Sequence, residues 1–313
     1  MVRSISKYGN SNYHRVLAAS TNRSSASVHA DVDKIHRKAF QALFSQADHE
    51  NNLKRSASRS PFICGSGSAS RRLILENAGF SFDVVKADID ERAIGDRSDG
   101  SLERAQALVM LLGHRKADAI MKRLQSDPVW QKCLQSPVSN NDASAGFCIE
   151  SRLGSAVADV KPLPRPPHRV LLTADQVVIC NGVVLEKPMD EAEARGMLAL
   201  YAQHPCSTVG SLVLTDLQSG KRYERQDTTT VFFEPRSSPE AALLWDAAID
   251  GMLADGMCIH CAGALMIESP LLLPVLERVE GSEESVLGMS TMLLEQVFAD
   301  FESDVERREA GGG

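Results

Sequence analysis

The stretch TADQVVICNGVVLEKP, Thr173 to Pro188, limits this chain's fold more than any other. Asn181-Gly182 separates two apolar runs, and an Asn-Gly pair in that setting favours a two-residue hairpin because both residues tolerate positive φ. One strand must run into the turn and another must leave it. Packing accounts for the valines and the turn. It does not account for an acid and an amide, Asp175-Gln176, inside the first run, or for Lys187 at the exit before Pro188.

Strand-like and helix-like segments alternate on either side of this hairpin. PFICGS (61–66) reads as a short strand ending in a small-residue turn, and RRLILENAG (71–79) as a helix stopping at Gly79. FSFDVVKADIDE (80–91) reads as a strand finishing in acids. SLERAQALVMLLGHRKADAIMKRL (101–124) carries the strongest helical pattern, with Ser101 at the cap. Beyond the hairpin, 190–203 predicts a helix capped by Asp190, and 207–235 a second hairpin turning at Ser219-Gly220. Two further helices are expected at 239–253 and 289–301. Such alternation, without internal repeats, predicts an α/β fold.

Three regions stand outside the pattern. Residues 1–60 read as an extension with one helical segment near 31–47. Its first thirty residues hold Arg3, Lys7, Arg15 and Arg23, seven serines and no acid, the composition of a mitochondrial transit peptide. The lack of an amphipathic stripe favours an ordinary extension instead. Residues 125–168, rich in Pro, Ser, Asn and Gly, read as an inserted loop, and 304–313 as a flexible tail.

A net charge of −7 argues against nucleic acid as the main partner. No apolar run approaches the roughly 18 residues a membrane span needs. The seven scattered cysteines suit a reducing compartment such as the cytoplasm.

Four groups of residues carry possible chemistry. In SGSASRRLI, Ser66 to Ile74, small residues lead into a helix start, where backbone amides and the helix dipole favour an anion. A Ser/Gly turn before a helix is also a common structural device, and neither a phosphate-binding P-loop nor a dinucleotide fingerprint is present. The acids of DIDE, Asp88 to Glu91, suit a hard cation such as Mg²⁺ or Mn²⁺, or simply a solvated loop. Asp175, placed at the C-terminal side of its strand, would bind a metal or take a proton from water. Lys187 would neutralise phosphate charge; Lys116 would do the same, although a lysine late in a helix is more often solvated. Finally Cys258, His260 and Cys261 lack the second ligand pair of a structural zinc site, and no serine elbow supports nucleophilic catalysis.

Taken in order, these pieces resemble the Maf family of nucleoside triphosphate pyrophosphatases. SGSASRRLILENAG is similar to that family's S-x-S-P-R/W-R-R-x-L-L-x-x-x-G opening. DIDE, Lys116-Ala117, the ADQVV…NG…LEKP hairpin, HCAGALMIES and EGSEESVLGMS resemble its later motifs across about 61–301. The resemblance implies a two-lobed α/β fold, related to the inosine triphosphate pyrophosphatases, with a mixed twisted sheet and a central nucleotide-binding cleft. The implied reaction is metal-dependent hydrolysis of a nucleoside triphosphate to the monophosphate and pyrophosphate, in a house-cleaning role, with Mg²⁺, Mn²⁺ or Co²⁺.

Carried over residue by residue, Asp175 would accept the proton of the attacking water. Ser66, Arg71, Lys116 and Lys187 would hold the triphosphate, and Glu91 would lie near the metal. Ser70, Gln176 and Glu268 stand where the family's substrate classes differ. Gln and Glu accompany 7-methyl-GTP, whereas Ser70 replaces the tryptophan of that class and the arginine of the dTTP/UTP class. Ala69, Leu111, Ser269, Ser285 and Ser290 also depart from the family pattern. The resemblance favours 7-methyl-GTP or a related modified nucleotide, with dTTP/UTP hydrolysis or a weakly catalytic nucleotide-binding regulator as alternatives. Family members often form homodimers, but no strip of this sequence marks such an interface.

Overall fold

In a computed structural model of the chain, residues 59–128 and 169–311 are described. The 31–47 helical segment, nearly all of the 1–60 extension and most of the 125–168 insertion lie outside the described residues.

Seven strands form one mixed sheet: β1 (Phe62–Cys64), β2 (Phe82–Val84), β3 (Val170–Cys180), β4 (Val183–Leu185), β5 (Cys206–Asp216), β6 (Arg222–Phe233) and β7 (Leu276–Glu280). Their order is β2-β1-β3-β5-β6-β7, with β4 also paired to β3. β1 runs parallel to β2 and β3, and the remaining pairs are antiparallel. The helices are α1 (Ala69–Asn77), α2 (Leu102–Ser126), α3 (Glu191–Tyr201), α4 (Pro239–Asp255), α5 (Glu283–Leu287) and α6 (Thr291–Ala310). Both expected hairpins form, and Asn181 and Gly182 take the positive φ of 49° and 74° that their turn requires.

Strand alternation divides the core. Leu172, Ala174 and Val178 of β3 face α1, α3, α4 and α6, where they join Ile74, Leu198, Trp245 and Phe298. Leu171 and Val177 face the other way, toward Leu112 and Ile120 of α2. Burying side chains this size is worth roughly 1.5–3 kcal/mol each.

Helix α2 is docked by more than its apolar stripe. Thr173 Oγ1 donates to the Gly113 carbonyl at 2.9 Å, Ser211 Oγ to Val109 at 2.7 Å and Gln226 Nε2 to Gln106 at 2.5 Å. Gly113 sits at the closest approach, because a Cβ there would lie 3.1 Å from Val213 Cγ2 and 3.2 Å from Ser211 Oγ. These contacts fix the rotation of α2 about its axis, and with it the direction of Lys116 three residues on.

Several expectations change. β2 takes only three residues of the 80–91 run, and Glu91–Ala93 forms a 3₁₀ turn. Ser101 caps α2 by position without a side-chain hydrogen bond. β7 and α5 were not legible in the sequence. The expected 304–313 tail is helical through Ala310. Its last turns are held because Asp304 accepts from Tyr223 at 2.6 Å and Lys221 at 2.8 Å, while Arg308 reaches the buried Asp216 at 3.2 Å.

The approach to α2 is tightly packed as well. Gly100 N donates to Gly182 O at 2.9 Å, and a Cβ on Gly100 would lie 2.3 Å from the Gly182 carbonyl carbon. Backbone cannot move aside as a side chain tip can. Gly100→Ala is therefore expected to lower stability by about 1–3 kcal/mol, readable in urea denaturation. An unchanged midpoint would show that this contact is slack.

Candidate active site

β1 and β4 occupy the same edge of β3, opposite β5, but at different heights. β1 pairs only at Leu171 and Leu172, and β4 only from Val178 to Cys180. The intervening edge, Thr173 to Val177, is left without a strand partner. The C-terminal ends of the parallel strands β1 and β2 open at this gap, the usual location of a site in an α/β sheet. Asp175 lies in it, in the middle of β3 and not at the strand's C-terminal side as the sequence reading had it, because the apolar alternation continues on to Cys180.

Asp175 is only 6% exposed and points toward α2. Lys116, 7% exposed, donates to its Oδ1 at 3.0 Å and also meets Glu91 Oε1 at 3.0 Å. Lys116 thus stands between two carboxylates from separate elements. Asp175 Oδ2 is buried without a hydrogen-bond partner. Burial pushes the Asp175 carboxyl above its usual range, and Lys116 and Arg71 pull the other way without cancelling the shift.

From the C-terminal end of β1 the chain enters α1 through a constricted turn. A Cβ on Gly65 would lie 2.6 Å from Thr173 Cγ2 and 2.7 Å from Ile120 Cδ1, so any larger residue would push these side chains aside. Ser68 caps α1 by accepting from Arg71 N. Arg71 is buried: Nε donates to Gly288 O at 3.0 Å, while Nη1 donates to Ser66 Oγ at 3.2 Å and Ala174 O at 3.0 Å. This guanidinium joins α1, the open edge of β3 and the α5–α6 turn, and it places Ser66 beside Asp175's strand. Ser70, half-buried, lies on the first turn of α1.

Gln176 points to the other face of the sheet. Its Nε2 donates to Ser285 O at 2.6 Å and to Val286 O at 3.3 Å. Both partners are carbonyls, so the amide orientation is fixed and Oε1 remains an acceptor. Glu268 is half-buried, and burial pushes its carboxyl up to about 7 against the pull of its own backbone N–H. Lys187 is exposed. The charges of Glu268 and Lys187 both act on Cys261, whose thiol burial pushes up to about 12. The Ala262–Ala264 turn between Cys261 and Glu268 is tied down by Gly263 N donating to Glu186 O, at the hairpin exit, at 2.9 Å and by Tyr201 Oη donating to Gly263 O at 2.6 Å.

A family model described as Maf-like protein matches residues 61–301 of the chain. The chain belongs to the Maf family. It is a nucleoside triphosphate pyrophosphatase. A 7-methyl-GTP pyrophosphatase of Dictyostelium discoideum is 28% identical over 76% of this chain and 96% of its own length. A dTTP/UTP pyrophosphatase of Vibrio parahaemolyticus is 26% identical over 80% of this chain and all of its own. A nucleoside triphosphate pyrophosphatase of Nostoc punctiforme is 24% identical over 78% and 95%.

Three functional candidates in this Maf protein were missed from sequence. Arg97 and Glu186 pair beside the site, with Nε to Oε2 at 2.7 Å. Asp227 stands in register with Gly210 on β5, which in turn faces Gln176 on β3. Its carboxyl is pushed up by burial, and its Oδ2 has no hydrogen-bond partner. A carboxylate on a half-buried strand next to threonines gives no pattern signal.

The Maf family generally uses a divalent metal. Among the described residues no group of three or more His, Cys, Asp or Glu side chains converges on a metal position. Glu91, exposed beside the Lys116–Asp175 pair, nevertheless fits a hard cation. Such ions take one or two carboxylates and complete their shell with substrate phosphate oxygens and water. No described helix of this Maf protein is long and apolar enough to cross a membrane.

Proposed function

We propose that this Maf protein hydrolyses 7-methyl-GTP, or a closely related modified guanine nucleotide, to the monophosphate and pyrophosphate. The observation that carries the substrate assignment is the fixed amide of Gln176: with its nitrogen committed to two backbone carbonyls, it offers the ligand an acceptor. Glu268, when ionised, offers two more. A guanine edge supplies N–H donors to match them. The 4-carbonyl of uracil or thymine would face acceptor against acceptor.

In the reaction, Asp175 Oδ2 takes the proton of a water that attacks the α-phosphorus, and the bond to the bridging oxygen breaks to release pyrophosphate. Lys116 holds the other Asp175 oxygen, so the carboxylate is oriented before the water arrives. Lys116 and Lys187 oppose the charge on the phosphates, and Ser66 stands at the amide-lined start of α1. Arg71 contributes mainly its positive charge, since its hydrogen bonds are engaged within the protein. Glu91 would hold a divalent cation, which would withdraw charge from the phosphate oxygens, and Asp175 Oδ2 stays free for the proton.

Pyrophosphate release across 7-methyl-GTP, GTP, UTP and dTTP with Mg²⁺, Mn²⁺ or Co²⁺ tests the assignment. The expected result is a preference for 7-methyl-GTP of about tenfold or more over the pyrimidines. Ser70 supports a second reading, because a cationic methylated purine loses the aromatic face it would favour. Faster UTP or dTTP turnover would transfer the protein to that class, and nucleotide binding without turnover would support a regulatory role.

A further inference from the structure

The segment from Asp90 to Gly100 and the hairpin return from Asn181 to Lys187 are tied together at three points. Arg97 forks onto Glu186, with Nε to Oε2 at 2.7 Å and Nη2 to Oε1 at 2.8 Å. Arg92 Nη2 donates to the Lys187 carbonyl at 2.7 Å. Gly100 N donates to Gly182 O at 2.9 Å. The same Arg97 also holds its own loop, through Nη1 to Ile94 O at 2.6 Å and Nη2 to Glu91 O at 2.7 Å.

One guanidinium therefore grips the backbone of Glu91, which meets Lys116 in the Asp175 cluster, and the side chain that immediately precedes Lys187. The charges of Asp175 and Glu91 reach it as well. Both members of the pair are only about one-fifth exposed, at 20% and 23%, where a two-point fork restricts orientation far more than a solvated pair does. Glu186 gains a further constraint from behind, since its carbonyl accepts from Gly263 N at 2.9 Å in the turn before Glu268.

We infer that Arg97 and Glu186 are positioning residues that carry Glu91 and Lys187 as one unit, so that the cation side and the triphosphate side of the site are set together. This rests on the proposed roles of Glu91 and Lys187. Neither Arg97 nor Glu186 touches the reacting atoms. Their effect is on where two other side chains stand, and displacements of about 1 Å at such groups are enough to cost up to a hundredfold.

The test uses the full chain and two variants chosen to preserve the fold. Glu186→Gln keeps the shape of the side chain and removes its charge, and Arg97→Lys keeps the cation and removes the fork. Two binding titrations need no turnover: Mn²⁺ by electron paramagnetic resonance for the Glu91 side, and inorganic tripolyphosphate by calorimetry without metal for the Lys187 side. Each variant is expected to weaken both ligands by about fivefold or more, with the melting temperature within about 2 °C of the parent. The double variant is expected to be no weaker than the worse single variant, because the two residues act through one contact.

Weakening of one ligand alone would overturn the inference, as would additive losses or a fall in melting temperature with both affinities intact. Failure of the substrate assignment appears in the parent enzyme's nucleotide panel and leaves these titrations interpretable.

Discussion

Asp175→Asn is expected to lower pyrophosphate release by about 10³-fold, within the roughly 10²–10⁴ range that a positioned general base supplies. The same variant is expected to keep or slightly exceed the parent's melting temperature at neutral pH. Asn preserves the volume, and Lys116 retains Glu91 as its partner at 3.0 Å. The carboxylate it replaces is buried, has an oxygen without a hydrogen-bond partner, and has its pKa raised by desolvation. A carboxyl with a raised folded pKa binds protons more tightly folded than unfolded, so stability falls as pH rises from the unfolded pKa through the folded one. Above that window Asn removes a destabilising charge; well below it, where both states are protonated, the benefit disappears. Activity within tenfold of the parent would remove Asp175 from the mechanism. A loss of activity matched by a large loss of stability would identify it as a structural partner of Lys116 instead.

The second large effect is expected at Glu268. Hydrogen bonds to a charged group are worth about 1.5–3 kcal/mol, so Glu268→Gln should reduce kcat/KM for 7-methyl-GTP by roughly tenfold to a hundredfold. Pyrimidine turnover should change little or improve. Because burial raises Glu268 to about 7, the parent's KM for the purine should climb as pH falls below about 7, and that dependence should be absent in the Gln variant. Steady-state kinetics from pH 5.5 to 8.5 reads both outcomes.

The stability sign is fixed by the same shift. The pKa rises from 4.5 to about 7 on folding, so the parent loses stability as pH rises through that window. Glu268→Gln should therefore be the more stable protein above about pH 7, by on the order of 2 kcal/mol once partial exposure is allowed for, and no more stable below pH 4.5. Parallel stability profiles of parent and variant would mean that folding does not raise the Glu268 pKa.

Much of the frame was legible because it rests on local chemistry. The Asn181-Gly182 turn, the cap at Asp190 and the stripe of α2 each follow from residue type and spacing. Lys116 carried a local signal of its own. Lys116 lies four residues after Leu112 and seven after Val109, on the buried stripe of α2, and a charge in that position argues for a buried partner more than for a solvated face.

Other features had no local signal. β2 is three residues long because it lies at the sheet edge and its partner β1 is itself only Phe62–Cys64. Arg97 and Glu186 are 89 residues apart, Gln176 and Ser285 109 apart, and nothing in either segment specifies its partner.

The sequence by itself determined the α/β class, the two hairpins, most of the helices and a set of polar residues standing where apolar ones would pack better. These depend on propensity, periodicity and turn conformation, which act over a few residues. Only the tertiary structure decided that β1 and β4 share one edge of β3 and leave Thr173 to Val177 open between them. Only the docking of α2 on the sheet brought Lys116 between Asp175 and Glu91. Those outcomes come from long-range strand register and helix packing, where free energy depends on residues meeting across the whole chain.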